Sequence, residues 1–243
     1  MAEPRLTTTA RGTLVAAAVS GVLYGLGAML PQVDGPDVET ATASQIRAFL
    51  AENDSSIRIA AAGAVVAMVL ILVFTVSVAR LIRLREPGSP LADLVVAGGV
   101  LVAIWHWVVV AASWSTLVQR LDGTDLATVD DATLRGWYGL SNFGHLFGDL
   151  GMVGMVAVVG GGSLAALRTG ILGRWLAWLG LVVSGCGLLG TLAVVLALHG
   201  PSNIWLVAIF GWFIWVLASG VTCGLRARKE RKTGAATVAV DAI

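Results

Sequence analysis

Six long apolar stretches, almost free of charged residues, run along this chain of 243 residues. A helix needs about 20 apolar residues to cross the hydrocarbon core of a bilayer. Charged residues make up only 13% of the sequence, well below the share in a soluble domain. Residues 60–73 lack the alternation of a barrel strand, which favours helices. We therefore predict an all-α, polytopic integral membrane protein with spans at about residues 12–30, 57–79, 91–117, 146–167, 175–198 and 204–225.

Lysine and arginine are distributed unequally over the segments between these stretches. If the N-terminus is cytoplasmic, the inner segments carry twelve of them and the outer ones four, namely Arg47, Arg58, Arg120 and Arg135. Positive residues are enriched on the cytoplasmic side of membrane proteins. We therefore expect one multi-pass domain of three helical hairpins in a cell membrane, with both termini cytoplasmic. The first stretch is interpreted as a permanent helix and not as a signal peptide.

Two cytoplasmic segments carry distinct local signals. Before the third span, Ser89 is predicted to cap the helix, Pro90 fits its first turn, and Asp93 faces the positive helix end. The tail at 226–243 begins with basic residues, which anionic lipid attracts, and is predicted to be disordered.

Two outer segments have short amphipathic patterns. Ile46 and Leu50 lie at helical spacing within residues 41–52, which predicts a short helix on the bundle or the lipid surface. Residues 120–143 show the same apolar spacing after Asp130 and Asp131, either of which can cap a helix. This pattern predicts a second short helix.

Small residues mark the places where helices are expected to approach each other. The close-packing pattern occurs twice, and the fifth span has a small-residue face. These positions are Gly21 and Gly25, Gly144 and Gly148, and Gly180, Ser184, Gly187 and Thr191. The run at 160–162 is interpreted as tight packing, with a hinge as the alternative.

The few polar residues inside the apolar stretches are the candidates for chemistry. Ionisable groups within a membrane are costly and usually face a bundle interior or a cavity. His106 is expected near the middle of the third span, and Asp149 about one turn into the fourth, level with Ser113 and Arg58. His145 and Asp149 share a helix face, so the pair could pass a proton.

Structural roles for the same residues stay open. Asp149 can form an ion pair with Arg58, and His106 can bond to Ser20, Ser184 or a backbone carbonyl. Among the tryptophans, Trp212 and Trp215 share a face and are predicted to be packed or lipid-facing bulk, or to line a pocket for a lipophilic or cationic ligand. The candidates for a ligand or proton pathway are thus His106, Asp149, His145, Ser113, Arg58, Trp212 and Trp215.

We predict no metal and no cofactor. Paired ligands should occupy matching depths, whereas His106 and His145 are expected to lie more than two turns apart. Cys186 and Cys223 are expected at different depths, so no disulfide is predicted. The net charge of +1 argues against a nucleic-acid partner. Membrane lipid is the expected partner, and assembly as a homo-oligomer or with a membrane partner stays open.

One stretch resembles a known family. The sequence Gly-Asp-Leu-Gly at 148–151 and the sequence from Leu167 to Gly180, which contains Arg-Thr-Gly-Ile-Leu-Gly-Arg-Trp, are similar to small six-helix actinobacterial membrane proteins. This family is the uncharacterised domain of unknown function forty-three eighty-six. The resemblance implies a six-helix membrane fold and supplies no site residues. Gly173 stands where the family has a proline.

Three functions follow from these features. The leading hypothesis is a non-enzymatic membrane protein, either a small-solute or proton-linked transporter or a lipophilic-ligand binder. The second is an intramembrane enzyme that protonates an isoprenoid-like lipid through Asp149. The third is an accessory subunit of a membrane complex.

Overall fold

The computed structural model describes residues 8–27, 35–37, 40–121, 125–196 and 203–240, and their side chains except at 8–9, 109–121, 141–150, 194–195, 203, 205 and 232–240. Seven α-helices make up the regular structure of this part of the chain. They are α1 (Thr8–Gly27), α2 (Ala43–Glu52), α3 (Asp54–Arg85), α4 (Pro90–Leu121), α5 (Asp131–Thr169), α6 (Arg174–Val195) and α7 (Asn203–Val240). All except α2 are long and apolar enough to cross a membrane. The predicted all-α class with six membrane-length helices is confirmed.

The fourth predicted span belongs to a much longer helix. α5 joins the outer helix expected near residue 131 and the span expected at 146–167 into one continuous helix. No proline lies between its ends, so nothing forces a break where the sequence becomes apolar. At its start, Asp130 accepts a hydrogen bond from the Thr133 backbone at 2.9 Å, which confirms the predicted cap. The bonds from Thr133 hold the pKa of Asp130 below its usual value.

The prediction of a disordered tail from residue 226 is wrong for most of its length. α7 continues without a break to Val240. Residues 226–232 are arginine, alanine, lysine and glutamate, all of which favour a helix, so the last span extends beyond its apolar part. Residues 241–243 lie outside the described part of the chain.

The predicted cap of the third span is also wrong. The Ser89 hydroxyl is buried and makes no hydrogen bond in the described part of the chain, although Pro90 occupies the first position of α4 as predicted. The structural role expected of Asp93 is confirmed, because its carboxylate pairs with Arg83 at the end of α3.

The six long helices form a closed ring. Each packs against the next one along the chain, and α7 returns to α1, so the order is α1, α3, α4, α5, α6, α7. Neighbouring α4 and α5 run antiparallel, since Gly98 approaches Gly154 while Trp105 approaches Gly151. A Cβ placed on Gly98 would lie 2.7 Å from the carbonyl oxygen of Gly154, which shows how closely the two backbones pack.

The small-residue positions that the structure describes serve packing. Gly25 faces Leu217, and a Cβ on Gly187 would meet Val156 at 2.8 Å. The helix α5 is unbroken through the glycine run at 160–162, where Gly162 makes room for the ring of Trp215. Tight packing therefore accounts for this run. The pattern at 144 and 148 lies outside the described side chains.

Aromatic side chains fill the interior of the ring. Phe74 and Trp215 are fully buried and meet edge to face, with ring centroids 6.3 Å apart. Large apolar side chains are exposed on all six long helices, for example Val19, Val66 and Phe210. Such extensive exposed apolar surface is what a lipid-facing bundle requires.

A separate cluster caps one end of the bundle. The predicted short helix is present as α2, with Ile46 and Leu50 buried against Leu134 and Tyr138 of α5. A capping box formed by Thr42 and Gln45 starts this helix. The Tyr138 hydroxyl donates to the Pro36 carbonyl at 2.7 Å, which ties the preceding segment to α5. Burial raises the pKa of this hydroxyl.

One arginine joins the two parts of this cap. The Arg47 side chain donates to the carbonyl oxygens of Leu126 and Val129 and pairs with Asp131 at 2.9 Å. These bonds satisfy three acceptors with one rigid guanidinium group. They fix α2 to the start of α5, the helix that continues through the whole bundle.

Candidate functional site

A hydrogen-bonded group of rings crosses the interior of the bundle. Tyr24 of α1 lies between His106 of α4 and Trp212 of α7. The Trp212 indole N–H donates to the Tyr24 oxygen at 3.2 Å, and this oxygen lies 3.4 Å from Nε2 of His106. With Trp105, whose ring meets that of His106 edge to face, these residues are called the aromatic layer below.

The contacts of His106 define its protonation. Its Nδ1 lies 2.8 Å from the Val102 carbonyl oxygen, which can only accept, so Nδ1 carries a proton. In the neutral imidazole Nε2 then accepts, and Tyr24 donates its hydroxyl hydrogen to it. The carbonyl partner is one of those expected for His106 from the sequence. Ser20 instead donates to the carbonyl of Ala16, and Ser184 to that of Val156.

Glycines of α1 allow Tyr24 to reach the interior. A Cβ on Gly21 would lie 2.9 Å from the Phe74 ring, and one on Gly25 would lie 2.8 Å from the Leu217 side chain. α1 therefore packs closely on α3 and α7, and Tyr24 extends across to α4. Sequence reasoning missed Tyr24, although its place between two glycines of a close-packing pattern was a usable signal.

Trp105 contributes a donor without a partner. Its Nε1 is buried and makes no hydrogen bond in the described part of the chain. The indole lies across Gly151 of α5, where a Cβ would be 2.6 Å from the ring. Leaving a buried N–H unpaired costs about 1–3 kcal/mol, so this position is either strained or completed by another molecule.

The two candidate tryptophans of α7 are packed, and Trp212 borders only a small cavity of about 10 Å³. Both are fully buried, and the Trp215 indole donates to the Leu176 carbonyl at 3.1 Å. Their interpretation as packed bulk is therefore correct, and the lipid-facing alternative is wrong. Trp107 of α4, by contrast, is 61% exposed.

The helix register changes the expected level of Asp149. Trp105 and Gly151 share a depth, because they are in contact. The rise of a helix is about 1.5 Å per residue. Measured from that level toward the C-terminal end of α4, position 106 lies about 1.5 Å away and position 149 about 3 Å away. Position 149 is thus level with His106, whereas position 113 lies about 12 Å beyond. The side chains of Asp149 and Ser113 are outside the described part.

Position 149 lies on the face of α5 that turns toward α6. Position 149 is seven residues before Val156 and shares its helix face. Val156 faces α6, where its carbonyl accepts the Ser184 hydroxyl at 3.3 Å. Met152, three residues after position 149, shares this face and borders a small cavity together with Trp212, so position 149 lies on the cavity side of α5. The side chain of His145 is also outside the described part.

Arg58 lies away from the aromatic layer. It pairs with Asp54 of the same helix at 3.3 Å and is half-exposed. Its pairing with Asp149 stays a prediction, and the described contacts give Arg58 another partner.

A small cavity adjoins the aromatic layer on the α6 side. It measures about 10 Å³ and is lined by Met152, Met155 and Trp212, with Ser184 among its polar groups. This volume holds about one water molecule. The described interior is therefore filled mainly by the protein's own side chains.

Metal-type groups are absent from the part of the chain that the structure describes, since no three His, Cys, Asp or Glu residues come together there. The register also reduces the expected separation of the two histidine positions 106 and 145 to about 7.5 Å along the bundle axis. The two positions therefore still lie at different depths in the bundle. Cys186 and Cys223 are both free in this structure.

Replacing Tyr24 with phenylalanine should lower the free energy of unfolding by about 1–3 kcal/mol. The hydroxyl is the acceptor for Trp212 and the donor to His106, and both groups would stay buried without it. Unfolding by SDS in mixed micelles measures the difference. Trp107→Phe is the control for an aromatic change outside the interior, since the Trp107 ring is 61% exposed. Equal losses for the two variants would contradict the special role of the Tyr24 hydroxyl.

These features define a class of protein: a helical bundle with six helices long and apolar enough to cross a membrane, and with an aromatic layer in its interior. No protein-family model matches the chain, and neither a curated protein nor a solved structure matches it. The resemblance to the six-helix family of unknown function therefore stays a prediction.

Proposed function

We propose that this chain is a non-enzymatic, multi-pass protein of a bacterial inner membrane that binds a small lipophilic ligand at its aromatic layer. The observation that carries this proposal is the buried ring network of Tyr24, His106 and Trp212, with an unpaired Trp105 donor beside it. Buried polar groups that are incompletely paired mark sites where a few convergent groups orient a ligand.

The packing of the interior supports binding over transport. A conduit needs space or polar lining through the bundle, whereas the rings of Phe74, Trp212 and Trp215 occupy this interior. The cavity beside them has room for about one water. Proton-linked transport would require these helices to separate, and it is retained as the second outcome of the test.

An isoprenoid-directed enzyme has less support. Such an enzyme needs an acid facing a cavity lined by aromatic faces. Trp212 and Trp215 use their N–H groups within the protein and pack their faces in the core. Position 149, the proposed acid, shares its helix face with Met152 and Val156. The cavity that these two residues border measures only about 10 Å³, which is too small for an isoprenoid.

The proposed orientation places both termini in the cytoplasm. The excess of lysine and arginine on the segments at that end supports it. The cap formed by α2 and the start of α5 then lies outside the cell, and the basic residues of α7 between Arg226 and Arg231 lie near anionic lipid.

Native mass spectra of the protein released from nanodiscs test this function. We expect a discrete bound mass that is reduced in His106→Ala and Tyr24→Phe and retained in Trp107→Phe, which changes an exposed ring. Asp149→Asn tests whether position 149 of α5, which lies at the depth of His106, contributes to ligand binding. An empty chain would overturn the proposal, and a stoichiometric protein partner would replace it with the accessory-subunit function. Proton flux into liposomes above that of empty liposomes would favour the transporter.

A further inference from the structure

Two under-used polar groups lie side by side in the aromatic layer. The Trp105 indole N–H is buried without a partner. The adjacent His106 ring, with its centroid 4.6 Å from that of Trp105, has its Nε2 3.4 Å from the Tyr24 oxygen. Hydrogen bonds of this kind are usually 2.7–3.2 Å long, so this contact leaves part of the bonding capacity of His106 unused.

The backbone of α5 holds the Trp105 indole in place. Gly151 offers only its backbone to the ring, and a Cβ there would lie 2.6 Å from Cγ and 2.8 Å from Cδ2 of Trp105. The ring therefore cannot move further toward α5 to find an acceptor. No acceptor in the described part of the chain reaches this N–H, so the missing partner is best supplied from outside the chain.

The surroundings restrict the chemistry of that partner. On α4, Ile104 and Trp107 flank the two polar residues and are more than half exposed on the lipid-facing surface. A molecule that arrives from the bilayer must be largely apolar. It must offer an acceptor to Trp105, and a neutral oxygen does so without burying a charge.

We infer that the Trp105 indole N–H, beside the His106 ring, forms the polar end of a binding site for a lipophilic molecule with a carbonyl-type oxygen, such as a quinone. This inference rests on the proposed function and assigns its ligand class. The ligand oxygen accepts from the Trp105 N–H, and the apolar part of the ligand lies along α4 toward the lipid. No covalent or redox step is involved.

Nuclear magnetic resonance of the full chain in nanodiscs, with ¹⁵N-labelled tryptophan, tests the inference directly. The indole signal of Trp105 is identified by its loss in Trp105→Phe, and the exposed Trp107 is identified in the same way. Decyl-benzoquinone is the probe, and decylbenzene is the control of similar shape without an acceptor. We expect a saturable shift of the Trp105 signal toward hydrogen-bonded values with the quinone and none with decylbenzene.

Affinity gives the second measurement. Trp105→Phe keeps most of the ring and removes only the donor, so quinone binding should weaken about three- to tenfold, as expected for one hydrogen bond. Trp107→Phe should leave it unchanged. Equal losses in both variants indicate partitioning into lipid and overturn the site. A Trp105 signal that does not move at saturation, or that is already hydrogen-bonded to water without a probe, also overturns it.

The two proposals fail in different ways. A bound mass in native spectra that survives Trp105→Phe and causes no shift of the Trp105 signal leaves the lipophilic-ligand function standing and removes this site. A chain without any bound mass, and without a response to the quinone, removes both.

Discussion

Trp215→Ala should lower the free energy of unfolding by about 3–5 kcal/mol, the range for truncating a large buried aromatic side chain. Trp215 is fully buried and meets Phe74 at an interplanar angle of 89°. Its ring fits between two glycines: a Cβ would lie 2.9 Å from it at Gly162 and 2.5 Å at Gly180. Because neither glycine has a side chain that can move into the space, the cavity left by alanine should stay largely open.

The measurement is SDS-induced unfolding in mixed micelles, followed by tryptophan fluorescence or circular dichroism. Trp178→Ala is the control on a neighbouring helix, since that ring is 61% exposed and its loss creates no cavity. Trp215→Phe should fall between the wild type and alanine, because it keeps a ring and loses the bond to Leu176. A loss below about 1 kcal/mol for Trp215→Ala would show that the bundle can collapse around the site.

The membrane-length helices were predictable because the lipid imposes one requirement on every span. Long apolar sequences must satisfy their backbone groups internally, which fixes helices wherever such stretches occur. The short helix α2 was predictable for a similar reason, since Ile46 and Leu50 recur at helical spacing and are indeed buried. The ends of α5 and α7 were not predictable from hydropathy, since the helices continue into polar sequence where no residue breaks them.

Partners within the bundle were harder to predict than the helices. Counting residues from an assumed membrane boundary placed position 149 level with Ser113. The contact of Trp105 with Gly151 shifts that level toward His106. The depth of a residue depends on helix packing as well as on hydropathy, and a single chain gives no direct sign of which faces meet.

Tyr24 shows the same limit at the candidate site. A search for ionisable and hydroxyl groups in the spans selected His106 and passed over tyrosine. Tyrosine, however, is the residue that connects α4 with α7. Its selection requires knowing that α1 packs between α3 and α7, which follows from contacts between helices that are distant in sequence.

The close approach of α1 and α7 makes Gly220 a sensitive glycine on this interface. A Cβ there would lie 2.9 Å from the backbone nitrogen of Val22 and 3.1 Å from the carbonyl oxygen of Ala18. Backbone atoms cannot turn aside as a flexible side chain can, so the two helices must separate. Gly224, one turn later, faces only the Ala18 side chain at 3.4 Å, an ordinary contact distance.

Gly220→Ala should therefore destabilise the protein by about 1–3 kcal/mol, as overpacking does, and Gly220→Val should be worse. Gly224→Ala should be neutral or stabilising, because alanine favours the helix over glycine by up to about 1 kcal/mol. The SDS unfolding curves of the two alanine variants provide the comparison. Helix separation also moves Tyr24 away from Trp212, so Gly220→Ala should weaken ligand binding while Gly224→Ala retains it. Equal stability of the two variants would mean that α1 and α7 are not in close contact in the membrane.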